Sequence, residues 1–390
     1  MAFPASPQAV LLLLLLAVLL AGCSPTPTEE CPQMGFRLRS FNLKPACNGT
    51  VLGVKQKQEI QAPTTVLLIP CLYLLALLIG LPANIIALWV LVFRTKRLPA
   101  TWLLINLTAT DLMLLAVLPF RIAYHFHHNN WVFGEPLCRL VMALFYGNMY
   151  GSVLCLMLIS VDRYVALVHP FGARTLRSWR SSLCMSAVVW VVILLAMLPL
   201  LLLRQSFPLS EPPIITCHDA LPEEVQETFF QPYFATLFTA CFLFPLLVIV
   251  YCYGAVLRTL LAGGQRYAHA VRVTILVLLV FLVCFLPSNI LLLLHYTNSE
   301  LITDEQDLYV PYMVSLAVST FNSCIDPFIF YYVSDDFRAR VRKALSCHPI
   351  ADRDSSSGNK VSYSSSGKSG KSKSTLLSKS DTTLEQNVAL

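Results

Sequence analysis

Residues 101–124 read "TWLLINLTATDLMLLAVLPFRIAY". At about 1.5 Å per helical residue such a run is long enough to cross a hydrocarbon core of about 30 Å. Asp111 sits in its middle. A carboxylate at that depth is expensive against lipid and must face protein or an internal hydrated cavity, so this helix needs partners.

The partners are legible on both sides. Apolar windows of membrane length fall at 66–93, 101–124, 137–168, 181–203, 232–258, 271–295 and 309–333. Of the 390 residues 56% are hydrophobic and 13% charged, and the mean hydropathy of +0.64 is far from that of a soluble domain. The expected fold is an all-α membrane protein, a seven-transmembrane helix bundle with a short amphipathic eighth helix. A net charge of +6 would suit nucleic acid if it formed a stripe, but the bases are scattered between apolar runs, so no nucleic-acid partner is expected.

Those bases set the orientation. Arg94, Lys96 and Arg97, then Arg174, Arg177 and Arg180, then Arg258, Arg266 and Arg272, and finally Arg338, Arg340, Arg342 and Lys343 fall on alternate ends of the spans. The opposite loops carry Glu211, Asp219, Glu223, Glu224 and Glu227, and Glu300, Asp304, Glu305 and Asp307. Counting bases alone, the N-terminus is extracellular and the C-terminus cytoplasmic. Residues 1–23 end an apolar core in "LLAGC" and read as a cleaved signal peptide; an uncleaved anchor or a lipobox at Cys23 are the alternatives.

Of thirteen cysteines, Cys71, Cys155, Cys184, Cys241, Cys252, Cys284 and Cys324 lie in apolar runs, where a free thiol acts as a small buried hydrophobe. Cys31, Cys47, Cys138 and Cys217 lie outside or at the edges of runs and are the disulfide candidates. Residues 335–347 form the amphipathic helix, with Phe337, Val341 and Leu345 on one face and bases on the other, suited to lie on the inner leaflet's lipids. Cys347 is a palmitoylation candidate or a free thiol. The segment 348–390 is a Ser-rich cytoplasmic tail expected to be disordered.

Asn106 stands a turn and a bit before Asp111, and Asn84, Ser152, Asn322, Ser323 and Asp326 are further polar groups at similar depth. They either glue helices together or line a cavity able to hold a sodium ion through oxygen ligands; no other cofactor is expected. Asp162, Arg163 and Tyr164 stand at the cytoplasmic end of the third span, where an acid and a base can pair and release as a switch. Pro199, Pro245, Pro287 and Pro327 are expected to kink spans four to seven.

Asn84, the Asp111 motif, Cys138 with Cys217, Asp162-Arg163-Tyr164, Trp190, Pro245, "CFLPSN" and "NSCIDPFIF" together resemble the rhodopsin-like G-protein-coupled receptors over about residues 65 to 347. One departure is Phe330, where that family usually has tyrosine, with Tyr331 beside it. Within the family, "TCHDALP", "FRIAYHFHHNNWVFGEPLCR", "FYGNMYGSVL" and "FLPSNILLLLHY" resemble the protease-activated receptors, and "RQSF", "CHDALP" and "CYGAVLRTLLAGGQRYAHAVR" look most like their fourth subtype.

The resemblance implies that a serine protease cuts the extracellular tail after a basic residue and that the new N-terminus folds back as a tethered agonist. Arg39 is the best site: a cut there exposes Ser40, Phe41, Asn42, Leu43, Lys44 and Pro45, whereas cuts after Arg37 or Lys44 expose "LRSFNL" or "PACNGT". Residues 24–39 are then the released propeptide, 40–65 the tethered-ligand tail and 66–334 the transmembrane domain. Ser40 lies about 26 residues from the first span, so at about 3.3 Å per residue an extended tail reaches about 85 Å. The protease is thrombin or another trypsin-like enzyme: Leu38 precedes Arg39 where thrombin-cleaved members often have proline, and Lys55 and Lys57 replace an acidic run.

A Cys138–Cys217 bridge, also implied by the resemblance, would hold His218 and Asp219 over the bundle mouth, with Asp219, Glu223 and Glu224 as counter-charges for the new ammonium and Lys44. Tyr124, Tyr146, Leu291, His295, Tyr296, Tyr309 and Tyr312 lie near the outer helix ends, where an apolar pocket for Phe41 could form; each also suits plain interfacial anchoring. Asn48 opens a glycosylation sequon. Heterotrimeric G proteins, receptor kinases and arrestins are the cytoplasmic partners, with Ser355, Ser356, Ser357, Ser364, Ser365, Ser366, Thr382 and Thr383 as kinase sites. The rival functions are a transporter, an intramembrane enzyme and a receptor for a free peptide, nucleotide or lipid. No inverted repeat supports the first, and no metal-ligand spacing or nucleophile motif supports the second.

Overall fold

The computed structural model describes residues 36–38, 58–95, 99–169, 178–209, 213–222, 225–297, 308–333 and 335–345. Seven of its helices are long and apolar enough to span a membrane: α1 (Gln58–Phe93), α2 (Ala100–Phe126), α3 (Glu135–Val168), α4 (Arg180–Leu202), α5 (Thr228–Ala262), α6 (Ala268–Leu294) and α7 (Tyr309–Tyr332). Most run past their apolar windows, α1 beginning at Gln58 rather than at 66. Hydrogen bonding carries a helix into the polar interface, where hydropathy alone stops counting. α8 (Asp335–Leu345) follows, with Phe337 and Val341 buried and the Phe337 ring edge-on to Phe330.

The solvent pattern is inverted, as a lipid surround requires. Leu78, Phe93, Leu194 and Leu247 are exposed on the outside, whereas Asn84, Asn106, Asp111, Asn148 and Asp326 are buried within. Cys71 and Cys184 are exposed on this apolar exterior rather than buried, while Cys155, Cys241, Cys252, Cys284 and Cys324 are buried as expected.

Prolines break the regular ladder, and they do so in more places than spans four to seven. Pro82 and Pro119 lie inside α1 and α2, as Pro199, Pro287 and Pro327 do in α4, α6 and α7. Pro245 follows a π-helical stretch at Phe238–Leu243 that widens α5. α7 is interrupted at Thr320, between Tyr309–Ser319 and Phe321–Val333.

α3 is the central post, packing on α2, α4 and α5. Gly151 makes the closest approach possible: a Cβ there would stand 2.8 Å from Ile193 Cδ1 and 3.0 Å from Thr110 Cγ2.

The outer face is capped by short strands. β2 (Ser206–Leu209) and β3 (Ile214–Cys217) form an antiparallel hairpin, and β4 (Ala220–Pro222) pairs antiparallel with β1 (Phe36–Leu38). A Cys138–Cys217 disulfide fastens β3 to the outer end of α3. Glu135, in the first turn of α3, accepts from the backbone N–H groups of Gln205 and Ser206 at 2.7 Å each and pairs with Arg139 at 2.6 Å. Carboxylate, disulfide and hairpin together hold the loop over the bundle.

Candidate receptor site

Between β3 and β4 the chain must turn sharply, and His218 does so in the left-handed region at φ 65°. That turn drives His218 and Asp219 inward, and both are buried. The His218 Nδ1 bonds the Gln205 side-chain oxygen, and its ring meets Tyr146 edge-on at 5.8 Å and Phe230 at 5.6 Å. Asp219 accepts a hydrogen bond from the Tyr124 hydroxyl at 2.6 Å through Oδ2. Its other oxygen, Oδ1, has no partner among the described residues. The expected counter-charge is thus tied by one oxygen to the outer end of α2 and holds the other in reserve.

Of the tyrosines named from sequence, Tyr124, Tyr146, Tyr309 and Tyr312 are all fully buried, and Tyr146 and Tyr312 share a hydrogen bond at 2.9 Å. Leu291 is half-buried. The side chains of His295, Tyr296 and Glu227 lie outside the described residues, as do Glu211, Glu223 and Glu224. Arg121, which sequence reading passed over, is buried beneath this cluster, its guanidinium 5.7 Å from the Tyr124 ring centroid and 5.6 Å from that of Phe145. A base one turn before Tyr124 on an apolar span was the available signal.

The strand β1 pairs with the same loop. Its register sets Phe36 opposite Pro222, Arg37 opposite Leu221 and Leu38 opposite Ala220, the residue after Asp219. Arg39, Ser40, Phe41, Asn42, Leu43, Lys44 and Pro45 lie outside the described residues, as do residues 1–23, where a signal peptide was expected, Cys31, Cys47, Asn48, Cys347 and residues 348–390.

At mid-depth the expected polar cluster assembles. Asp111 Oδ1 accepts from Ser323 Oγ at 2.8 Å and from Asn148 Nδ2 at 3.2 Å; Ser152 Oγ lies 3.2 Å from both Asn148 Nδ2 and Thr110 Oγ1. Asn84 Nδ2 donates to the Ser323 carbonyl at 2.6 Å, and Asn322 Nδ2 to Asp326 Oδ2 at 2.9 Å. Asn106 is the exception: it donates to Ser186 Oγ at 2.5 Å and accepts from Trp190 Nε1 at 3.3 Å. Five residues at about 100° each turn it well away from Asp111 on α2, toward α4. Asn148, which joins Asp111 to Ser152, was missed because one amide in a long span gives little signal.

At the end of α3 away from the strand cap, Asp162, Arg163 and Tyr164 are half-buried. Arg163 borders a cavity of about 140 Å³ that reaches from Thr95 and Thr101 to His269, Asp326 and Phe337. The Tyr164 hydroxyl lies 3.0 Å from His169 Nε2, and its ring 5.8 Å from Tyr251.

Residues 83–330 match the family described as 7 transmembrane receptor (rhodopsin family). The chain is 52% identical to proteinase-activated receptor 4 of Homo sapiens over 279 residues, 71% of this chain and 72% of that one. It is 49% identical to proteinase-activated receptor 4 of Rattus norvegicus over 292 residues, 74% and 73% of the two chains. With proteinase-activated receptor 3 of Homo sapiens it shares 43% identity over 268 residues, 68% and 71%. On fold, site and kinship alike the chain belongs to the rhodopsin family of seven-transmembrane receptors, and within it to the proteinase-activated receptors: a multi-pass plasma-membrane receptor and not an enzyme.

Proposed function

We propose that an extracellular trypsin-like serine protease, thrombin or a relative, cuts this receptor after Arg39 and that the freed "SFNLKP" acts as its tethered agonist. The observation that carries the reading is the pairing of Phe36–Leu38 with Ala220–Pro222. The strand ends at Leu38, the residue before Arg39, and Leu38 stands opposite Ala220, the residue after Asp219. A cut creates an ammonium on Ser40, and Asp219 offers it or Lys44 the unpartnered Oδ1. Phe41 has an aromatic environment at hand in Tyr146, Phe230 and Phe234, whose rings surround His218. Asp219 is only 1% exposed, so the ligand enters by displacing the outer cover.

Inward, rearrangement of the Asp111 cluster and of α7 about Pro327 opens the cavity at Arg163 to a heterotrimeric G protein, with calcium mobilisation and Rho activation as the outputs and hemostasis as the setting. Kinases then act on the tail, and arrestin ends the signal. The Asp111 cluster suits a sodium ion: Asp111 Oδ2 is buried without a partner among the described residues, and Ser152 and Ser323 supply hard hydroxyl oxygens beside it. The ion would add a positive charge that steadies the inactive packing.

The decisive experiment records calcium in cells expressing wild type or Arg39→Ala after thrombin or trypsin. The expected result is loss of the protease response in the variant with an intact response to synthetic SFNLKP; a preserved protease response would sink cleavage at Arg39.

A further inference from the structure

The cavity beside Arg163 holds about 140 Å³, the size of one that takes a single small aromatic molecule. A protein partner enters it only after a wall has moved. The helices around it are unequally tied. Buried hydrogen bonds join α1 to α7 through Asn84 and Ser323, α2 to α7 through Asp111 and Ser323, and α2 to α3 through Asp111 and Asn148. α6 supplies His269, Ala270, Val273, Thr274 and Val277 to the same cavity. Among the described residues, however, no hydrogen bond or ion pair joins its residues 268–286 to another helix, and the Thr274 hydroxyl turns back to the Ala270 carbonyl of its own helix at 2.9 Å. α6 is the wall that can yield.

Its freedom has a hinge and a stop. Pro287 interrupts the hydrogen-bond ladder of α6, so the stretch before it is a lever of about 28 Å at about 1.5 Å per residue. α7 is broken in the same way by Pro327, and Tyr332 lies beyond that break. The stop is where these two segments meet: the His269 ring stacks on that of Tyr332, with centroids 5.2 Å apart and planes at 28°. Among the described residues this is the one ring contact between α6 and α7. His269 lines the cavity, whereas Tyr332 does not and is 44% exposed, so it stands behind His269 at the rim.

We propose that the His269–Tyr332 stack is a latch that holds α6 against α7 and sets how often the cavity opens without agonist. This rests on the reading above that a G protein enters at Arg163. A ring pair of this kind shifts an equilibrium about two- to tenfold. The latch therefore restrains opening, and a ligand that favours the open state by more than that factor overcomes it.

The test records inositol phosphate accumulation, with neither protease nor peptide added, in cells expressing full-length receptor matched for surface expression. Tyr332→Ala is expected to raise this basal signal about two- to tenfold. Tyr332→Phe keeps the ring and loses only the hydroxyl, so it should match wild type, as should His269→Phe. His269→Ala should signal as Tyr332→Ala does, and the two together no more than either alone, because each already opens the stack. A folding defect lowers signalling and does not imitate this gain. A basal signal in Tyr332→Ala no higher than in wild type, a Tyr332→Phe receptor as active as Tyr332→Ala, or a double variant with the product of the two single effects would overturn the latch. A wild type that answers neither protease nor SFNLKP through a G protein would instead overturn the reading of the cavity, and the latch with it.

Discussion

The Tyr124 hydroxyl donates to Asp219 Oδ2 across 2.6 Å, joining the outer end of α2 to the loop between β3 and β4. A hydrogen bond to a carboxylate contributes about 1.5–3 kcal/mol, and this one leaves Oδ1 as the oxygen without a partner among the described residues. Tyr124→Phe is expected to weaken SFNLKP about tenfold in calcium potency, and Asp219→Asn at least as much because it also removes the charge. Equal potency of Asp219→Asn and wild type would reject Asp219 as the ligand's counter-charge.

The Cys138–Cys217 bridge closes a loop of 79 residues. By chain entropy such a cross-link contributes about 4 kcal/mol. Cys138→Ala, Cys217→Ala and the double variant are each expected to lower the Tm of purified receptor strongly and by the same amount, since either single change already opens the loop. A double variant much less stable than both singles would show that the thiols contribute separately.

Asp111 receives Ser323 and Asn148 on one oxygen and leaves the other open. Asp111→Asn keeps the shape and removes the charge that would attract a sodium ion. In wild-type membranes, sodium is expected to lower SFNLKP potency relative to a large organic cation; in the variant that dependence should vanish. Sodium sensitivity that survives in Asp111→Asn would place the ion elsewhere.

Gly151 separates α3 from Ile193 on α4 and Thr110 on α2. A side chain there must push both helices, at about 1–3 kcal/mol. Gly151→Val is expected to lower Tm and surface expression. Gly254, with nothing within 4 Å of an added Cβ, is the control: Gly254→Ala should be stabilising by up to about 1 kcal/mol through helix propensity.

The seven spans were legible because lipid rewards long apolar runs, and the Asp111 cluster because the same solvent penalises each polar exception. Helix phase explains what was not legible: Asn106 lies little more than a turn from Asp111 on α2, yet it points to Trp190. The cap over the outer face was hidden for a different reason. Glu135, Asn129 and Asn130 look like ordinary loop polarity, and their value lies in backbone groups of Gln205, Ser206, Ile60 and Ile215, which no side-chain pattern encodes. Arg121 carried a signal as a base within an apolar span, but its place beside Tyr124 and Phe145 comes only from packing.

Under the tethered-agonist proposal, the pairing of β1 with β4 makes the uncut N-terminal segment a competitor of its own agonist. Three paired residues are marginal as a sheet, and their net hydrogen bonding is worth on the order of 1 kcal/mol. Under that proposal such a strand covers the loop before a cut and yields after it. Arg37 is the middle of the three, opposite Leu221. Arg37→Pro fixes φ near −65° and removes an N–H, which a strand this short cannot absorb. Applied to the uncut receptor, free SFNLKP should then act at about fivefold lower concentration, the equivalent of about 1 kcal/mol. Arg37→Ala, which leaves the backbone able to pair, should behave as wild type. If proline and alanine give the same potency as wild type, the strand does not stand in the agonist's way.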